Sequence, residues 1–120
     1  MTNRNATEHV QALYRYASQL ATEIAENRLT RERLGINILD QWAVTKALEL
    51  IGEEAWELDK IGFDLGPSIP PHQIAGLRHR LVHHYDGVDW SVAQEVAFED
   101  VPRLVVDLER EMRTRGIPQE

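Results

Sequence analysis

Residues 5–27 read NATEHVQALYRYASQLATEIAEN. Val10, Leu13, Ala17, Leu20, Ala21 and Ile24 fall at steps of three and four, the spacing that lines one face of an α-helix. Asn5 and Glu8 stand ahead of that stripe, three residues apart, where each can cap the backbone of the other. A helix is therefore expected over about 5–27, and Gly35 in its polar surroundings predicts the break after it. A second stripe, from Leu39, Trp42 and Ala43 through Ala47, Leu50, Ile51 and Leu58, predicts a helix over 38–61 stopped by Gly62. Gly66-Pro67-Ser68-Ile69-Pro70-Pro71 reads as a loop, and Pro71 suits a first helical turn, where no amide partner is lost. A third helix is expected over 71–85 with Ile74, Leu77, Leu81 and Tyr85 facing inward. A last helical region covers 91–115, where Pro102 either begins a new helix after Glu99-Asp100 or kinks a continuous one. Strand signals are weak throughout. The expected fold is all-α: a single domain over residues 1–120, folded as an antiparallel bundle of four to five helices. Its small core favours pairing of two chains into a homodimer.

Composition narrows the function. The 120 residues include no cysteine, so neither disulfides nor thiolate metal sites contribute. No apolar run approaches the ~20 residues needed to cross a bilayer, and the opening Met1-Thr2-Asn3-Arg4-Asn5 lacks the apolar stretch of a signal peptide. A cytoplasmic protein with no membrane partner is the expectation. A net charge of -7 disfavours broad adhesion to nucleic acid, because the mean field repels phosphate. Yet no acidic residue lies between Asp64 and Asp86. That window holds Arg78, Arg80 and four of the five histidines, His72, His79, His83 and His84.

Within it, Ile74-Ala75-Gly76-Leu77-Arg78-His79-Arg80-Leu81-Val82-His83-His84-Tyr85 carries the chemistry. Arg78 and His83 are five apart, a turn of about 140° on a helix, so they do not stack. The long Arg78 side chain can still swing toward the groove that His83 addresses from the helix end. A guanidinium grips phosphate through a forked pair of hydrogen bonds and stays charged. An imidazole moves a proton near neutral pH. Metal-free RNA cleavage needs a base for the 2'-hydroxyl, an acid for the departing 5'-oxygen and a cation for the pentacoordinate phosphate. Two such pairs across a dimer axis supply all three.

The Arg78–His83 spacing resembles the R-x4-6-H signature of HEPN domains. His83-His84-Tyr85 and the flanking Ile74-Ala75-Gly76-Leu77 resemble the HepT branch of toxins in toxin–antitoxin pairs. Leu50-Ile51-Gly52-Glu53-Glu54, the proline-rich loop, Val88-Asp89 and Val101-Pro102-Arg103-Leu104 extend the likeness over about 37–108. The resemblance implies a dimeric, metal-independent endoribonuclease with Arg78 and His83 catalytic at the dimer cleft. It also implies a minimal nucleotidyltransferase antitoxin that silences the toxin by attaching AMP to Tyr85, and allows a higher hetero-oligomer with that partner. His79 stands where this branch commonly has asparagine, and a supporting role is assigned to it.

Blander roles compete at several positions. Arg80 reads as a solvated charge, His84 as an exposed spacer, and Tyr85 also continues the apolar stripe. His72, His79 and His83 have a spacing that suits a metal, but no carboxylate shares their helix before Asp86 and clustered cations repel a divalent ion, so no metal or other cofactor is expected. Glu53 and Glu54 read as solvated or as hydrogen-bonded to the third helix, and Trp42, Trp56 and Trp90 as core or interface anchors. The alternative to a nuclease is a non-catalytic helical dimer that binds nucleotide or docks a nucleotidyltransferase subunit.

Overall fold

The computed structural model describes residues 4–77, 81 and 87–119. Helix α1 spans Ala6–Ala25, α2 Arg31–Ile36, α3 Ile38–Lys60 and α4 Pro71–Ala75. Helix α5 (Trp90–Glu95) runs through a π-helical segment, Val96–Asp100, into α6 (Val101–Arg115). The described residues are thus helices and their connections, as the sequence predicts.

The caps are built from the residue types that favour them. Asn5 Oδ1 accepts the Glu8 amide at 2.9 Å while Glu8 Oε1 accepts the Asn5 amide at 3.0 Å, the reciprocal box expected for α1. Thr30 caps α2 through Arg33 N–H, and Asn37 caps α3 through Asp40 N–H. The break after α1 falls earlier than Gly35. Asn27 takes the turn at φ 58°, a left-handed conformation that asparagine tolerates, and Gly35 sits inside α2. Gly62, at φ 67°, follows the end of α3 as expected. The expected helix over 71–85 is described only in part. Its proline start at Pro71 is present, Leu77 and Leu81 are buried, and its continuation to Tyr85 lies outside the described residues.

Helix α1 packs on both α3 and α6. His9 meets Glu54, and Leu20 shares a wall with Val44, so α1 and α3 run antiparallel. Gln11 Nε2 reaches the Pro118 carbonyl and Tyr14 Oη reaches Glu109, so α1 and α6 are antiparallel as well. The core between them is aliphatic: Leu13, Leu34, Leu48, Ile51, Leu58 and Leu108 are almost wholly buried.

The apolar face of α3 differs from its sequence reading. Val44, Leu48, Ile51, Ala55 and Leu58 form the buried stripe. Leu39 and Trp42 are 66% and 64% exposed, beside an exposed Ile36 and Ile38. The bulkier Leu39 and Trp42 suggest one stripe, whereas the buried register runs through Val44 and Leu48, and Val44 shares a wall with Leu20 of α1. Trp56 is also exposed and stacks against Lys60 Nζ at 5.9 Å, so neither it nor Trp42 is a core anchor; Trp90 packs half-buried on the core.

Glu54 is a buried carboxylate, and its partners come from α1 and the residues before it rather than from the third helix. Its Oε1 receives Arg4 Nη1 at 2.9 Å and His9 Nδ1 at 2.8 Å, which ties the start of the chain and α1 to the middle of α3. A buried carboxylate needs such compensation, since its desolvation costs several kcal/mol (order of magnitude). Glu53, its neighbour, is exposed.

Tyr14 supplies a second polar tie. Burial, then the hydrogen bond at 2.7 Å to Glu109 Oε2 and the charge of that carboxylate, push its phenol up to about 12 from 10.0. A raised phenol favours the folded state below pH 10, and that contribution fades as the pH rises through about 12. Absorbance at 295 nm should therefore show a tyrosinate step near pH 12 that is absent from Tyr14→Phe. A profile unchanged by the substitution would assign that step elsewhere.

Candidate active site

The acid-free window begins in the loop after α3. Asp64 Oδ1 accepts the Gly66 amide at 2.7 Å, and Gly66, at φ 95°, turns the chain where a side chain would crowd the Glu111 carboxylate. Leu65 and Ile69 are fully buried on either side of that turn. They hold the loop on the core, and Pro70-Pro71 launches α4 against α3.

Two buried leucines and one backbone bond are described beside and within the motif segment. Leu77 and Leu81 are 8% and 5% exposed, and Asp89 N–H donates to the Leu81 carbonyl at 2.6 Å. Asp89 in turn caps α5 by accepting Ser91 and Val92 N–H on Oδ1. Arg78, His79, His83 and Tyr85 all lie outside the described residues, together with Arg80 and His84. His72 is described: its ring is exposed and its Nδ1 lies 3.3 Å from Asp59 Oδ2. Among the described residues no group of three histidine or acidic side chains is placed to hold a metal.

Beside Leu77 the fold opens a groove of about 270 Å³. Its floor is Ile51, Ile74, Leu77 and Leu104, and its polar lining is Ser68, Gln73, Asp100, Arg103 and Asp107. Arg110 donates to Asp107 Oδ1 at 2.9 Å and lies 3.4 Å from Ser68 Oγ along one wall. The π-helical segment forms part of the other wall, and Pro102 explains it. Proline has no N–H for the carbonyl four residues back, and its ring would collide with that carbonyl. The turn widens instead: Val101 N–H donates to Val96 O, five residues away, and an α register restarts at Val101. Of the two expectations for Pro102, the continuous helix is the one realised, with a widened turn as its irregularity: Asp100 and Val101 keep right-handed helical angles and no side chain caps a new start. The polar lining of this groove was not singled out from the sequence; the Pro102 interruption was its visible signal.

A second groove, about 500 Å³, lies between α1 and α3. Tyr16, Leu20, Val44 and Leu50 line it, and Glu23, Arg28, Asp40 and Lys46 stand around it. Arg28 pairs with Glu23, holding that carboxyl below its usual range, and with Glu26 at 3.0 Å. No helix among the described residues is long and apolar enough to cross a membrane.

The sequence of this chain is similar to several curated proteins. "Putative RNase MJ1380" of Methanocaldococcus jannaschii is 33% identical over 73 residues, covering 61% of this chain and 67% of the relative. "Putative RNase MJ1216" of the same organism is 34% identical over 70 residues, 58% of each chain. "Probable ribonuclease HepT" of Thermococcus cleftensis is 41% identical over 64 residues, 53% of this chain and 58% of the relative. This chain thus spans about three-fifths of the length of the relatives it matches. No solved structure matches it significantly. The family described as "Ribonuclease HepT-like" matches residues 5–111, from the first cap of α1 to the last turns of α6 and across the whole acid-free window. With that span the chain belongs to the HepT-like ribonuclease family.

Proposed function

We propose that this protein is an endoribonuclease toxin that cleaves RNA by attack of the 2'-hydroxyl, with Arg78 and His83 catalytic. The observation that carries the reading is the family match over 5–111, which includes the Arg78–His83 spacing. Relatives named as ribonucleases support it. In this reading His83 transfers the proton and Arg78 steadies the charge that builds on the phosphate, with His79 in support. The reaction needs no metal, because imidazole and guanidinium supply proton transfer and charge between them. Two chains form the cleft, and the exposed Ile36, Ile38, Leu39 and Trp42 favour such self-association, since a soluble monomer seldom leaves so much apolar side chain uncovered in one place. A nucleotidyltransferase partner silences the toxin by placing AMP on Tyr85, where the added bulk and negative charge compete with substrate phosphate for Arg78.

The direct test is the purified protein with single-stranded RNA in EDTA. Cleavage that survives chelation and leaves 2',3'-cyclic phosphate ends is expected, and a DNA strand of the same sequence should remain intact for want of the 2'-hydroxyl. Cleavage that requires an added divalent ion would overturn the metal-free mechanism. Tight nucleotide binding with no cleavage would favour a non-catalytic dimer.

A further inference from the structure

We propose that the groove beside Leu77 is a nucleobase pocket that selects guanine. The proposal rests on the ribonuclease reading for the polymer that carries the base, but the pocket chemistry stands on its own residues. Leu77 lines the groove and is the residue immediately before Arg78. The volume of about 270 Å³ suits a single flat ring system, falling just below the range of about 300–1,000 Å³ typical of drug-sized sites. The floor of Ile51, Ile74, Leu77 and Leu104 offers an apolar face against which a ring can lie.

The polar lining decides which base. Asp107 is already engaged by Arg110, whereas Asp100 has no hydrogen-bond or ion-pair partner among the described residues. Asp100 is half-buried and is carried by the widened turn that Pro102 imposes, a kind of irregularity often found at functional sites. A carboxylate inside a groove repels a phosphate and asks for donors. The Watson–Crick edge of guanine presents two adjacent donors, N1–H and N2–H, which one carboxylate accepts together. Its O6 then takes a hydrogen bond from the Gln73 amide or from Arg103, both of which line the same groove. Adenine presents a lone pair at N1, which the carboxylate repels, and cytosine and uracil leave much of the apolar floor uncovered. Arg103 is exposed, which suits it equally to the attached phosphate.

The test uses the full chain with methyl-labelled isoleucine and leucine, titrated with guanosine 3'-monophosphate and, separately, adenosine 3'-monophosphate. The two probes carry the same charge and differ only in the base. The guanosine nucleotide should shift the methyls of Ile51, Ile74, Leu77 and Leu104, with an affinity about fivefold to a hundredfold above that of the adenosine nucleotide, the discrimination of one bidentate base contact. Asp100→Asn keeps the shape and loses the acceptor pair, so it should erase that ratio, and its own methyl spectrum reports whether the fold persists. Equal shifts from both probes, no shift at these methyls, or a ratio preserved in Asp100→Asn would each overturn the pocket. Guanine preference in a protein that cleaves no RNA would support the pocket while overturning the ribonuclease reading, so the two failures are distinct.

Discussion

His83→Ala should lower the rate of RNA cleavage by about 10²–10⁴-fold, the usual worth of a positioned proton-transfer group. Arg78→Ala should cost on the order of 10²–10³-fold, because charge building on the phosphate would lose its fixed counter-charge. Arg78→Lys should recover only part of that loss, since an ammonium keeps the charge but lacks the planar fork that matches two phosphate oxygens. Rates measured on a defined RNA, alongside growth arrest when the chain is expressed, check the set. Circular dichroism and size-exclusion profiles should be unchanged, because the substitutions leave the buried Leu77 and Leu81 and the Asp89–Leu81 backbone bond in place. Undiminished cleavage by both alanine variants would remove Arg78 and His83 from the chemistry.

The largest stability effect is expected from Leu48→Ala. Leu48 is fully buried in the middle of α3, so truncation should cost about 2–5 kcal/mol through lost burial and the cavity left behind. Against a total stability of about 5–15 kcal/mol for an ordinary domain, that loss moves the chain close to its threshold. Urea unfolding should show it as a lower midpoint at an unchanged slope. Leu39→Ala provides the contrast: the same residue type on the same helix, but 66% exposed. It should alter the stability of the isolated chain by less than about 0.5 kcal/mol. In the dimeric assembly proposed above, it should instead weaken self-association measured by sedimentation. Equal losses from the two variants would mean that the faces of α3 are misassigned.

That contrast also marks how far the sequence could be read. The capped start of α1, the stop at Gly62, the proline start of α4 and the helical character throughout follow from local chemistry, and local chemistry is what a sequence displays. The side of α3 that turns inward does not. Leu39 and Trp42 belong to a plausible stripe, and only the packing of α1, whose Leu20 shares a wall with Val44, selects the other one. Glu54 is similar: its neighbours in the chain suggest a solvated face, yet Arg4 and His9, 50 and 45 residues away, make its burial tolerable. The candidate site divides the same way. Its motif was legible because its residues are contiguous, whereas Asp100, Gln73 and Ser68 come together only through the packing of a loop, α4 and the π-helical turn.

The widened turn at Val96–Asp100 also governs how the gene can change. It takes five residues where an α-turn takes four, so it absorbs one residue without turning α6 away from the core. A single codon lost there should therefore leave Leu108 and Met112 inward and Glu109 beside Tyr14, at the local cost of setting the Pro102 ring against a carbonyl. A codon lost from the regular turns of Val101–Arg115 meets no such slack and swings every residue after it by about 100°.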